Sequence, residues 1–199
     1  SVVYGSPDVL SGLLTNGRQE DLDAEQMIGL FLNAAPFRMQ LTGGSWLELC
    51  RQTFAAEQEL IPYRRLPLID AQKLAGGQSL FEVLFDFVNF HVFRGLEGYP
   101  NCGFEEGHYF EANNFAVSVN FLLNSASTVL EFHLDYDPEQ LPEEQIRELS
   151  GYYLNTLTAM ASDSAVRYES FSPLSEIENK KLLVEWNDTD AEFPAGLLV

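Results

Sequence analysis

The sequence predicts an α/β or α+β lobe in which a mixed, largely antiparallel sheet is flanked by helices. Three observations carry this. Apolar runs of strand length, rich in Phe, Val and Leu, recur at positions 9–15, 27–41, 80–90, 116–123 and 129–136. Two segments of helical spacing, 45–60 and 142–160, each carry their own start signal. The chain has 199 residues, 46% of them hydrophobic, which suits one compact domain or a large lobe of one.

Taken in order, Val9 to Thr15 reads as a strand that enters a turn at Asn16-Gly17-Arg18. Gln19 to Gln26 is a polar, acidic loop. Met27 to Leu32 is apolar and uncharged, the pattern of a strand buried on both faces. Asn33 to Pro36 interrupts it, and Phe37 to Leu41 resumes with alternation. Pro36 has no N–H to give, so this break belongs at an edge, a bulge or a crossing segment.

Gly43-Gly44-Ser45 stops that strand, and Ser45 with Glu48 three residues on forms a capping box. The spacing of Trp46, Leu49, Cys50, Thr53, Phe54 and Leu60 predicts an amphipathic helix, ended by Pro62 and Pro67. On this stripe Cys50 is expected to be a small buried hydrophobe. Leu68 to Leu74 forms a short second helix closed by Gly76-Gly77.

Leu80 to Phe90 reads as a central strand and Gly95 to Gly107 as a loop. Ala116 to Leu123 and Val129 to Tyr136 alternate about a turn at Ser125-Ala126-Ser127, which is a β-hairpin pattern. Pro142-Glu143-Glu144 opens the last long helix, whose stripe is Ile146, Leu149, Tyr153, Leu157 and Met160. Beyond Asp163 the periodicity fades. Residues 164–199 read as an extended, partly ordered linker with one short helix at Leu174 to Trp186.

Charge narrows the functions. Thirty Asp and Glu oppose 11 Lys and Arg, a formal net charge of −19. Such a surface repels phosphate, which argues against nucleic acid and anionic membrane partners. It repels acidic partners too, unless the few arginines cluster on one face. No apolar run reaches the ~20 residues of a membrane span. The two cysteines, Cys50 and Cys102, have no metal or CxxC spacing, and reduced thiols in a cytoplasmic protein are expected.

A search for catalytic patterns returns little. His91, His108 and His133 have no partner at metal-ligand spacing, so no metal is expected. His133 lies between Phe132 and Leu134 and should point outward in the strand alternation. There is no Gly-x-Ser-x-Gly elbow, and the Gly43-Gly44 and Gly76-Gly77 pairs lack the Lys and Ser/Thr of a phosphate loop. Glu105-Glu106 and Asp135-Tyr136-Asp137 read as solvated faces in a chain this acidic.

Four segments, in order, carry a resemblance. Asn16-Gly17-Arg18 is followed by Met27-Ile28-Gly29-Leu30-Phe31-Leu32-Asn33-Ala34-Ala35-Pro36-Phe37-Arg38. Leu60 to Leu68 and Gln78-Ser79-Leu80-Phe81-Glu82-Val83-Leu84-Phe85 come next, and Glu185-Trp186-Asn187-Asp188-Thr189 lies near the end. Together they resemble condensation domains of nonribosomal peptide synthetases, with a Gly-Arg pair, an I-G-x-F-x-N-T-x-P-x-R signature and an N-P-L-F-x-V-x-F strand. Ala34 stands where the family usually carries Thr.

The resemblance implies a chloramphenicol acetyltransferase-like lobe, one of two that enclose a tunnel. There an upstream acyl or peptidyl thioester meets the amine of a downstream aminoacyl thioester, each on the phosphopantetheine arm of a carrier protein. No cofactor is then bound directly. The family's H-H-x-x-x-D-G motif is absent from this sequence, which contains no His-His pair. The chain is thus expected to be the C-terminal lobe (1–163) followed by a linker towards an adenylation domain (164–199), inactive by itself. Its expected partners are the N-terminal lobe, carrier proteins and the adjacent adenylation domain.

Within this half, the resemblance makes Asn16, Arg18, Asn33 and Arg38 the candidates for the tunnel wall. Asn33 and Arg38 would hold a crossing segment through bonds to carbonyls or a carboxylate, or simply stabilise the fold. Asn16 is equally readable as a turn residue. Two other readings stay open. One is a non-catalytic condensation-like module that docks carrier proteins or tailoring enzymes. The other is an epimerising or ester-forming relative.

Overall fold

The computed structural model describes residues 6–20, 23–88, 114–124 and 129–188. Five strands form one sheet in the order β2-β1-β3-β4-β5. They are β1 (Asp8–Asn16), β2 (Leu32–Gln40), β3 (Val83–Val88), β4 (Val117–Asn124) and β5 (Val129–Tyr136). The outer pairs β1–β2 and β4–β5 are antiparallel, whereas β3 runs parallel to both β1 and β4. The sheet is therefore mixed, with the expected Leu80-to-Phe90 strand at its centre; Asn89 and Phe90 lie outside the described residues.

The hairpin follows the alternation of its sequence. Val119 faces Leu134 and Phe121 faces Phe132 across β4 and β5, while Val83 and Phe85 pair with Val117 and Val119 from β3. These residues share one face, and α3 (Glu143–Ser162) lies on it through Ile146, Leu149, Tyr153 and Leu157. Val119 is fully buried, and the Phe121 ring sits 5.1 Å from Phe132 and 5.2 Å from Phe85. Burying each such side chain contributes about 1.5–3 kcal/mol, so this is the core. The turn at Ser125 to Ser127 and the Gly95 to Gly107 loop lie outside the described residues.

Gly12, which pairs with Leu84 of β3, is covered by the ring of Phe81 just before that strand. A Cβ there would lie 2.2 Å from Cε2 of Phe81, whose ring fills the space. Phe81 in turn stacks on Phe115, with centroids 5.5 Å apart.

The capping box opens α1 (Trp46–Leu60) as its sequence predicts: Glu48 N–H donates to Ser45 Oγ at 3.2 Å and Ser45 N–H to Glu48 Oε2 at 2.7 Å. Pro62 lies in the 3₁₀ turn Ile61–Tyr63 that ends the helix. α2 (Leu68–Leu74) closes on Gly76 and Gly77, both at positive φ, with Gly77 N–H bonded to Gln72 O at 2.7 Å.

Three expectations need correction. Met27 to Leu32 is not a buried strand: Ile28 is fully exposed and Leu30 is 87% exposed, and only Leu32 enters β2. Uncharged apolar character marks a run as burial-competent but does not say what covers it. Nor do Asn33 to Pro36 break a strand, since β2 runs through them and Pro36 pairs with Gly12. β2 is an edge strand, so the missing N–H of Pro36 costs no ladder bond. Cys50 is exposed. The inward stripe of α1 is narrow, set by Trp46, Leu49 and Thr53, and Cys50 lies about 60° round the helix from Thr53.

The chain after α3 returns to the body. Leu47 and Trp46 N–H, otherwise unsatisfied at the start of α1, donate to Ser164 O at 2.9 Å and Val166 O at 3.1 Å. Trp46 packs against Tyr168 and Phe171, with centroids 5.8 and 5.6 Å away. The short helix expected within Leu174 to Trp186 is α4 (Glu176–Lys180), continued by a π-helical turn over Lys181–Glu185.

Candidate functional site

Three of the four candidate residues meet at one end of the β1–β2 pair. Asn16 ends β1, and its Oδ1 accepts Arg18 N–H at 2.9 Å, so it shapes the turn. Gly17 N–H then donates to Phe31 O at 2.7 Å, which brings the approach to β2 alongside. Arg18 reaches across that loop. Its Nη1 donates to Ala24 O at 2.7 Å and to Met27 O, and its guanidinium lies 4.3 Å from the Phe31 ring centre.

Asn33 works against a third segment. Its Nδ2 donates to Arg64 O at 3.0 Å and Leu66 O at 2.7 Å, while Thr15 Oγ1 donates to Asn33 O at 2.9 Å. Arg64 and Arg65 reach back: Arg64 Nη2 donates to Arg18 O at 3.2 Å and Glu20 Oε1 at 2.9 Å, and Arg65 Nε donates to Gly17 O at 3.1 Å. Three chain segments are thereby tied together by side chains that bond backbone carbonyls.

Arg38 stands apart. Five residues along β2 from Asn33, it lies on the opposite face and roughly 17 Å away. It forms a two-bond pair with Asp8, at 2.8 and 2.5 Å, on the surface. The hydrogen bond from Arg38 holds the Asp8 carboxyl below the ordinary range, and the same bond raises Arg38.

Arg64, Arg65 and Thr15 belong to this cluster although the sequence motifs do not single them out. A signal for the two arginines exists: Arg64-Arg65 is an adjacent basic pair, enclosed by Pro62 and Pro67, in a chain with only 11 Lys and Arg. With Arg18 they gather three of those eleven at one place. Beside them the exposed Ile28, Leu30 and Leu66 supply apolar surface.

The chemistry available is that of positioning. Amide and guanidinium groups donate and cannot accept a proton at neutral pH. His133 points outward as its alternation predicts, 3.7 Å from Glu131 with both side chains about half exposed. His91, His108 and Cys102 lie outside the described residues. Among the described residues no three His, Cys, Asp or Glu side chains gather to hold a metal ion. No helix among them is long and apolar enough to cross a membrane.

A mixed five-stranded sheet packed on helices is the α/β fold expected from the resemblance, and solved structures of condensation domains share it. The starter condensation domain of rhizomide synthetase RzmA superposes with a TM-score of 0.68 at 16% identity, over 87% of this chain and 41% of that one. The condensation domain from the monacolin K polyketide synthase MokA gives 0.69 at 17%, over 82% and 39%. A sequence model described as the condensation domain matches residues 1–183, and the chain belongs to that family. A component of the linear gramicidin synthase of Brevibacillus parabrevis is 28% identical over 98% of this chain. Tyrocidine synthase 2 from the same organism is 27% identical over 96%. The chain spans only 4% and 6% of those two proteins.

Proposed function

We propose that this chain is the C-terminal half of a condensation domain that forms amide bonds between carrier-bound acyl and aminoacyl thioesters in nonribosomal peptide synthesis. The observation that supports the condensation-domain part of the reading is the family match over residues 1–183, while the choice of half rests on the motifs present and on the missing His-His pair. A chain that aligns with 41% of the RzmA domain leaves room for a second lobe, and relatives named as gramicidin and tyrocidine synthases support the peptide-forming setting. The sequence has no His-His pair, so the base that accepts the amine proton resides in the other half.

On this reading Arg18 and Asn33 hold the crossing segment 24–33 in place as part of the tunnel wall, with Asn16 shaping the turn beneath. Arg38 braces the far end of β2. Arg65, which is exposed beside Ile28, Leu30 and Leu66, offers a cation and apolar surface to an acidic partner, which fits a carrier protein delivering its phosphopantetheine arm. On this reading the chain beyond the packed 164–171 segment leads towards an adenylation domain, in the cytoplasm.

The test combines this chain with the N-terminal lobe of its parent and two loaded carrier proteins, with dipeptidyl thioester followed by mass spectrometry. Product is expected from the mixture and not from the chain alone. Product from the chain alone overturns the division of labour. Carrier binding without product in the mixture favours a non-catalytic docking module.

A further inference from the structure

The segment after α3 is held at two places of very different strength. The first, over 164–171, is built into the body. Ser164 and Val166 carbonyls cap α1, Tyr168 N–H bonds Gly44 O at 3.0 Å, Gly43 N–H bonds Tyr168 Oη at 2.6 Å, and Trp46 fills the space between Tyr168 and Phe171. The second, over 173–179, rests on side chains. Tyr152 on α3 donates its hydroxyl to Glu178 Oε1, and Asn155 Nδ2 bonds Pro173 O at 2.9 Å.

We propose that Tyr152 and Glu178 form a releasable latch, hinged at Ser172-Pro173, that fixes where α4 and the Lys181–Glu185 turn sit on α3. Glu178 suits the task because it does two jobs at once. Its other oxygen, Oε2, accepts Ser175 N–H at 2.8 Å and Ser175 Oγ at 2.6 Å, closing the capping box of α4. Latching therefore engages a helix start that is already ordered, which lowers the entropy lost on closing. The carboxylate is held below its ordinary range by Ser175 first and Tyr152 next, and the phenol is pushed up to about 12, chiefly by the bond to Glu178. At neutral pH both partners keep the protonation states the bond needs. Around and beyond the latch, Ile177, Leu183, Val184 and Trp186 are exposed, so opening moves an apolar segment without dismantling the core.

Hydrogen–deuterium exchange on the chain tests this, comparing it with Tyr152→Phe and Ser175→Ala. Removing one charge-assisted bond should raise exchange over 174–186 about tenfold in Tyr152→Phe, with 164–171 unchanged. Ser175→Ala frays the start of α4 but keeps Tyr152, so its increase should stay within 176–179. Unchanged exchange over 174–186 in Tyr152→Phe overturns the latch, as does full exchange there in the unsubstituted chain. Equal loosening of 164–171 overturns the hinge. These readouts do not depend on condensation activity, so they fail separately from the proposed function.

Discussion

Asn33 is a donor facing two carbonyls, and that asymmetry makes its substitution informative. In Asn33→Ala the Leu66 carbonyl, at the surface, turns to water and the Arg64 carbonyl keeps Thr15 Oγ1 at 3.3 Å, so the loss should be that of ordinary hydrogen bonds, about 0.5–1.5 kcal/mol. Asn33→Asp keeps the shape but points a carboxylate at both carbonyls, so it should destabilise more than Ala. Urea unfolding monitored by circular dichroism is expected to rank the chain above Asn33→Ala and Asn33→Ala above Asn33→Asp. Asp equal to the unsubstituted chain would mean that the side chain does not donate there. Arg38 offers a contrast. Its pair with Asp8 is on the surface, where water and salt screen the attraction, so Arg38→Ala should change the unfolding midpoint little.

At the scale of elements, what was legible in the sequence was local. Ser45 with Glu48, Leu68–Leu74 with Gly76-Gly77, and the 117–136 hairpin each depend on residues a few positions apart, and each formed as its spacing required. The rest depends on distant partners. Pro36 points to an edge, which β2 is, but does not name the neighbour it pairs with, and nothing near Trp46 says that Phe171 will cover it. The candidate site divides in the same way: Asn16, Arg18 and Asn33 sit in recognisable motifs, whereas Arg64 and Arg65 lie in a segment whose sequence does not say that they reach the Gly17 and Arg18 carbonyls. The packing of the 164–171 segment on α1 also predicts an acid response. Glu169 is held below its ordinary value first by its own N–H and then by Gly44 N–H, and Glu48 by Ser45 N–H. A carboxyl lowered in the fold stabilises it above the unfolded value, 4.5, and that contribution is lost as pH falls through the folded one. In a Trp186→Phe background, Trp46 emission should shift to the red as pH drops below about 4.5, less steeply in Glu169→Gln. Emission unchanged down to about pH 3, well below that range, would mean that these carboxylates do not hold the segment.

For the whole molecule the dominant electrostatic quantity is the net charge of −19. Like charges repel in the compact state, and the unfolded chain relieves that repulsion by spreading them. The opposing attractions are modest, because Arg147–Glu143, Lys73–Asp70 and Arg38–Asp8 are surface pairs that water screens. The cluster of Arg18, Arg64 and Arg65 spends its donors mostly on carbonyls at close range, where salt screens little. Repulsion summed over the surface should therefore outweigh the attractions that salt can reach. Raising ionic strength from about 0.01 M to about 0.15 M shortens the screening length from about 30 Å to about 8 Å. The Tm should rise, by about 2–4 °C for each kcal/mol of repulsion removed. Thermal melts in sodium chloride at neutral pH measure this, and melts in an uncharged osmolyte separate screening from general exclusion. A Tm that falls with salt would show that attraction outweighs repulsion, and that the surface pairs such as Arg38–Asp8 and Arg147–Glu143 hold more than their exposure implies.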